Sequence, residues 1–102
     1  MIENVLVSVA WPYANAEIHV GNLTGAYLPA DIFARYQRLR GRKVLMVSGS
    51  DSHGTPITVR ADAEKTSPLE VYQRFHNGFL ELFKELGLTY DLFTSTHTSN
   101  HF

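Results

Sequence analysis

Two near-continuous apolar runs, Asn4 to Ala10 ("NVLVSVA") and Lys43 to Ser48 ("KVLMVS"), constrain this chain more than anything else in it. Only Ser8 interrupts the first. Runs without in-and-out alternation suit strands of a parallel sheet covered on both faces. Parallel neighbours need a long crossover, and the residues between the runs supply one. From Asn22 to Arg40, Leu23, Ala26, Tyr27, Ala30, Phe33 and Tyr36 (with Gln37 beside it) recur at helical spacing. Arg35, Arg38 and Arg40 gather at the end of that stretch, where cations oppose the helix dipole, and Gly41 supplies a stop. Pro29 falls inside the pattern. It is expected to kink the helix, because it lacks an N–H and its ring crowds the preceding turn.

The second run leads into "GSDSHGTP", a loop of turn formers, and Pro56 is expected to start a short helix reaching about Glu64. "TSPLE" is a clean start signal, with Ser67 as N-cap, Pro68 at the first helical position and Glu70 closing a capping box. Tyr72, Phe75, Phe79, Leu82, Phe83 and Leu86 then form one stripe that Gly87 ends. "LTYDLF" reads as a short strand or edge segment, and the tail "TSTHTSNHF" as polar and without a closing element. Strand, helix, strand, helices is a βαβ unit with a right-handed crossover. It is the first half of a doubly wound α/β fold. A sheet of two or three strands is small for one covered on both faces, so residues 1–102 read as part of a larger domain.

Composition narrows the partners. A net charge of -1 gives no broad field for gripping nucleic acid irrespective of sequence. No cysteine occurs, which removes disulfides and thiolate metal sites. "MIENVLVSVA" carries an acid where a secretory peptide would carry positive charge, and no apolar stretch has the length of a membrane span. A soluble, cytoplasmic chain is expected.

Both distinctive loops, "WPYANAEIHVGN" and "GSDSHGTP", follow a strand. Ligands in open α/β sheets sit beyond the carboxyl ends of the strands, so the two should meet at one rim. The first ends in His19, Gly21 and Asn22 as a helix begins. Backbone N–H groups and the positive end of the helix dipole make such a start receptive to anions. Gly21 permits close approach, and His19 and Asn22 can donate hydrogen bonds to phosphate oxygens. Asn22 as a plain helix cap and His19 as a loop histidine are the structural alternatives. Asp51 in the second loop suits a ligand carrying an ammonium as well as phosphate, or else forms an Asx-turn or caps the following helix.

"PYANAEIHVGN" resembles the HIGH-signature region of class I aminoacyl-tRNA synthetases. Pro-Tyr-Ala-Asn followed by Ile-His-x-Gly is similar to the methionine-specific branch. "RYQRLRG", "SDSHGTPI" and "TSTHTSN" resemble that family in the same order, so the resemblance runs from Val5 to the tail. It implies a Rossmann-like domain of the HUP type and a two-step reaction. Methionine is activated by ATP, usually with magnesium, to methionyl-adenylate, and the methionyl group then passes to tRNA(Met). The signature region covers Pro12, Tyr13, Ala14, Asn15, Ala16, Glu17, Ile18, His19, Val20, Gly21 and Asn22. Within it, the resemblance gives His19 and Asn22 the catalytic positions, and Asn15, His19, Gly21 and Asn22 the ATP contacts. It gives Ala10, Trp11, Tyr13 and Asp51 to the amino acid, Asp51 receiving its ammonium. An aromatic wall suits a polarizable thioether, and a carboxylate suits an α-amino group.

Three departures stand out: Asn22 replaces the second signature His and cannot become cationic, Ala16 replaces a glycine, and Trp11 is bulkier than usual. The KMSKS loop, the zinc-bearing connective domain and the anticodon-binding domain have no counterpart in these residues. An N-terminal part of a longer synthetase, inactive alone, is therefore expected. The rivals are another class I synthetase, a small adenylyltransferase, or a non-catalytic module binding nucleotide or a partner.

Other features read as structure. His97 and His101 have the spacing of a helical metal pair, but in a poor helix and without a third ligand nearby, and no metal site is expected. His76 lies on or beside an apolar stripe. "NLT" at 22–24 matches a glycosylation acceptor but falls in the proposed phosphate site. Arg35, Arg38, Arg40, Arg42 and Lys43 read as a solvated helix end rather than an RNA contact.

Overall fold

The computed structural model describes residues 3–99 and 101. β1 (Asn4–Ser8) leads to a continuous helical run of α1 (Val20–Asn22), a π-helical segment (Leu23–Tyr27) and α2 (Leu28–Leu39). β2 (Lys43–Ser50), α3 (Thr55–Ala63), α4 (Pro68–Leu86) and β3 (Leu92–Ser95) follow. The three strands form one parallel sheet in the order β1-β2-β3, with Val7 opposite Met46 and Ser48 opposite Phe93. The expected α/β class and parallel start are found.

One face of the sheet is covered. Val7, Val9 and Met46 join Ala34 of α2, Ile57 and Ala61 of α3, and Val71, Phe75, Phe79 and Phe83 of α4 in a single core. Phe83 meets Tyr27, Tyr90 and Phe93 in tilted or edge-on ring contacts. The opposite face carries Leu6, Leu45 and Leu92, which are 66%, 52% and 50% exposed. The radius of gyration is 15.2 Å, against about 13 Å for a compact domain of this length. With a shortest extent of 19 Å, the molecule is a slab of one sheet and one helix layer.

α3 and α4 form where the sequence places them. Ser67 Oγ accepts the Glu70 N–H at 3.2 Å, and Gly87 ends α4 at φ 69°. The capping box forms only in part, because the Glu70 carboxylate takes the Thr66 hydroxyl. The first strand stops at Ser8, although the Val9 N–H still donates to Val47 O. β2 runs on to Ser50, and β3 reaches Ser95, inside the stretch expected to be tail. The end of that tail, Asn100 and Phe102, lies outside the described residues, as do Met1 and Ile2. The Pro29 disturbance is met upstream. A π-helical segment, with Leu28 N–H bonded to Leu23 O, widens the helix just before Pro29, the residue with no N–H to give and a ring that crowds a regular turn.

α2 corrects the expected stripe. Phe33 and Tyr36 face solvent, while Asp31, Ala34 and Gln37 are buried. Tertiary hydrogen bonds reverse the pattern. The Asp31 carboxylate accepts from Arg35 Nε and from the Thr89 N–H, each at 2.7 Å, and from the Thr89 hydroxyl; Gln37 accepts from Arg42. The arginines are thus more than a solvated end. Arg35 donates to Gly87 O, and Arg38 binds Thr89 and Asp91. Asp91 in turn accepts the Met46 N–H at 2.8 Å, clasping α2 to the lead into β3.

Candidate active site

The two loops meet at the carboxyl rim, as the topology predicts. Tyr13 and Asp51 form an isolated parallel bridge: Asp51 N–H donates to Pro12 O and Ala14 N–H to Asp51 O, each at 2.9 Å. The Tyr13 hydroxyl donates to His53 O. Gly54 closes over that ring at φ 129°, and a Cβ there would lie 2.0 Å from the Tyr13 hydroxyl oxygen, so glycine is required. Burial, and then the Asp51 charge, raise the Tyr13 phenol above its usual value. Asp51 is neither Asx-turn nor cap: Gly54 is the N-cap of α3, without a side-chain bond. The Asp51 carboxylate takes no hydrogen bond or ion pair among the described residues.

His19, not Asn22, caps the first helix. Its extended backbone (φ -92°, ψ 167°) turns Nδ1 to accept the Asn22 N–H at 3.2 Å. A neutral imidazole accepting at Nδ1 carries its proton on Nε2, which leaves a donor for a ligand. Gly21 makes this possible, since a Cβ would meet His19 Cε1 at 2.9 Å and Nδ1 at 3.0 Å. The backbone N–H groups of Ala16, Glu17, Ile18 and His19 have no hydrogen-bond partner among the described residues. The same four residues border a cleft of about 380 Å³ that includes Ala10, Trp11, Tyr13, Asn15 and Asn22, with Tyr27 and Phe79 lining it too.

Asp51 opens instead into an adjoining recess of about 300 Å³ with Thr96, His101 and Trp11. Trp11 lines both. Its ring is seated on Gly49, where a Cβ would come within 2.8 Å of Trp11 Cζ3 and 2.7 Å of Thr94 O. The structure therefore brings the expected donors together on one side of Trp11 and the expected carboxylate on the other.

The sequence reading missed the support beneath this rim. Ser52 N–H donates to Thr96 Oγ1 at 3.0 Å, tying the second loop to the end of β3. Ser50 Oγ and His76 Nδ1 lie 2.6 Å apart, and burial lowers the His76 pKa, which keeps the ring neutral. Tyr72 donates to Ser95 Oγ at 2.7 Å, and the His97 ring stands 5.4 Å from those of Tyr72 and His53. Residues 96–99 are turns and bends rather than helix, and no group of three His, Cys, Asp or Glu that could hold a metal occurs among the described residues. No helix among them is long and apolar enough to cross a membrane.

Comparison with known proteins places these features in a family. The family model for tRNA synthetases class I (M) matches residues 5–102. Methionine–tRNA ligases from Roseiflexus sp. and Thermomicrobium roseum are 62% and 59% identical over 102 residues. The chain spans only 17% and 18% of their lengths. The structure of Mycobacterium tuberculosis methionyl-tRNA synthetase in complex with methionyl-adenylate superposes with a TM-score of 0.93 at 28% identity, covering 98% of this chain and 19% of that one. A family match along 98 positions, with relatives 59–62% identical over the whole chain, leaves one conclusion: the chain belongs to the class I tRNA synthetases of the methionine (M) group.

Proposed function

We propose that residues 1–102 form the first half of the nucleotide-binding catalytic domain of a methionine–tRNA ligase, and that the site activates methionine with ATP. A carboxylate oxygen of methionine bonds to the α-phosphorus as the bond from that phosphorus to the bridging oxygen breaks, and pyrophosphate leaves with the electron pair. In the second step the terminal ribose hydroxyl of tRNA(Met) attacks the carbonyl carbon and AMP departs.

In this reading His19 Nε2–H, the Asn22 side-chain amide and the N–H groups of residues 16–19 receive the phosphates, Asn15 lines the same cleft and Gly21 allows close approach. Negative charge building on the phosphoryl oxygens then meets donors already in place. Asp51 pairs with the substrate ammonium, and Ala10, Trp11 and Tyr13 border its side chain. Magnesium would enter with the triphosphate and neutralise part of the charge on its oxygens. The observation that carries the reading is the Tyr13–Asp51 bridge, which joins the two loops so that the Asp51 recess adjoins the His19 cleft across Trp11, the Asp51 carboxylate having no hydrogen bond or ion pair among the described residues. The adenylate-bound relative of similar fold supports it.

Amino-acid-dependent ATP–pyrophosphate exchange by the complete protein is the test. Methionine should support exchange far above other amino acids. Asp51→Asn should raise KM for methionine about tenfold or more, the scale of a lost charge-assisted bond. His19→Ala should lower kcat. Exchange with a different amino acid, or none in a folded protein, would overturn the assignment. Asn22 favours a second reading, a nucleotide-binding module with slow chemistry, because a carboxamide cannot carry the positive charge of an imidazolium. Under that reading Asn22→His raises the exchange rate sharply.

A further inference from the structure

The first loop is held from outside by a side chain that the sequence reading passed over. Arg60, in the last turn of α3, donates from Nη1 to the Asn15 carbonyl at 2.9 Å. Its guanidinium is fixed from two other directions. Nε bonds Glu64 Oε1 at 3.2 Å, and the plane lies 4.8 Å from the centre of the buried Phe75 ring. Arg74 mirrors it, 4.7 Å from the same ring and 2.9 Å from Glu64 Oε2, but forms no hydrogen bond or ion pair with the loop among the described residues. Phe75 and Glu64 thus hold two guanidinium groups, of which one reaches the cleft-forming segment.

A trans peptide points its C=O and N–H in opposite directions. Fixing the Asn15 carbonyl toward Arg60 therefore aims the Ala16 N–H away from α3. That N–H has no partner among the described residues, and Asn15 and Ala16 both line the His19 cleft. We propose that Arg60 is a positioning residue for adenylation: it sets the Asn15–Ala16 peptide so that the Ala16 N–H is presented to the phosphate-bearing ligand of the cleft. The proposal rests on the reading of that cleft as an ATP site. Arg60 itself touches no substrate. Its effect runs through one peptide plane, so it should fall on ATP rather than on methionine.

The test compares Arg60→Ala, Arg60→Lys, Glu64→Gln and Arg74→Ala in the complete protein by ATP–pyrophosphate exchange, with hydrogen exchange of the 14–19 segment. R60A should raise KM for ATP about tenfold, the scale of one lost charge-assisted hydrogen bond, and leave KM for methionine within about twofold. R60K should recover part of the loss, E64Q should move KM for ATP in the same direction, and R74A should leave it near wild type. The Ala14 and Asn15 amides, bonded to Asp51 O and Tyr13 O, should exchange faster in R60A. If R60A fails to fold, the E64Q and R60K split decides. An unchanged KM for ATP, an equal effect in R74A, or equal changes for both substrates overturns the proposal. Wild-type protein without methionine-dependent exchange overturns the adenylation reading instead, and loop exchange in R60A, faster or unchanged, then upholds or overturns the clamp.

Discussion

At the scale of single residues, three glycines decide where the side chains of the carboxyl rim stand. Gly21 lets the His19 ring fold onto the helix start, and Gly54 lets the Tyr13 hydroxyl reach His53 O. Gly49 is the most constrained by its neighbours, because one of the atoms a Cβ would meet is the backbone carbonyl of Thr94. A flexible imidazole can yield, whereas a strand carbonyl paired in the sheet yields only by moving β3. Gly49→Ala should therefore cost about 1–3 kcal/mol, the range for overpacking a tight site. Gly21→Ala should cost less than about 1 kcal/mol and act on exchange activity instead. Urea unfolding followed by the fluorescence of Trp11, the single tryptophan of this sequence, measures both. A Gly49→Ala midpoint equal to wild type would mean that Trp11 and β3 are looser than they stand here.

At the scale of elements, legibility followed the range of the forces involved. α4 was readable because its cap, its proline, its aromatic stripe and its glycine stop are all local signals, and each forms. The meeting of the two loops was readable because parallel topology alone brings carboxyl ends together. α2 was misread because its buried face is chosen by partners far along the chain: Thr89 for Asp31, and Arg42 for Gln37. Arg60 was missed for the same reason, since beside Glu64 at i+4 it reads as an ordinary surface pair. The Asp31 clasp gives a pH prediction. Burial alone would raise the Asp31 pKa, but hydrogen bonds from Thr89 and Arg35 outweigh it, so the folded value lies below the usual 3.8. A carboxyl that holds its proton less tightly when folded adds stability above the unfolded pKa and loses it as pH falls through the folded one. Stability should thus decline below about pH 4, and Asp31→Asn should remove that part of the slope while lowering stability at neutral pH. Parallel acid titrations of unfolding free energy would show it, and identical slopes would mean that Asp31 is not the group responsible.

At the scale of the whole molecule, the unbalanced sheet is the dominant fact. Parallel sheets bury both faces, because their strands are apolar on both. Here helices cover the Val7 and Met46 side, while Leu6 stands opposite Leu45, and Val47 opposite Leu92, on a face without helices among the described residues. Their carboxyl ends lead straight to Trp11 on Gly49, so a partner covering this face would also border the recess of Trp11 and Asp51. Residues 1–102 prepared alone should therefore bind a hydrophobic dye and self-associate as concentration rises, since apolar patches of this kind seek cover. Replacing Leu6 and Leu45 together by lysine should return the chain toward monomer in sedimentation experiments. Leu39→Lys, on α2 and 87% exposed, should not. If the Leu39 variant dissociates the chain as well as the sheet variant does, the adhesive surface is the α2 face, and the open side of the sheet is sufficiently shielded by its own side chains.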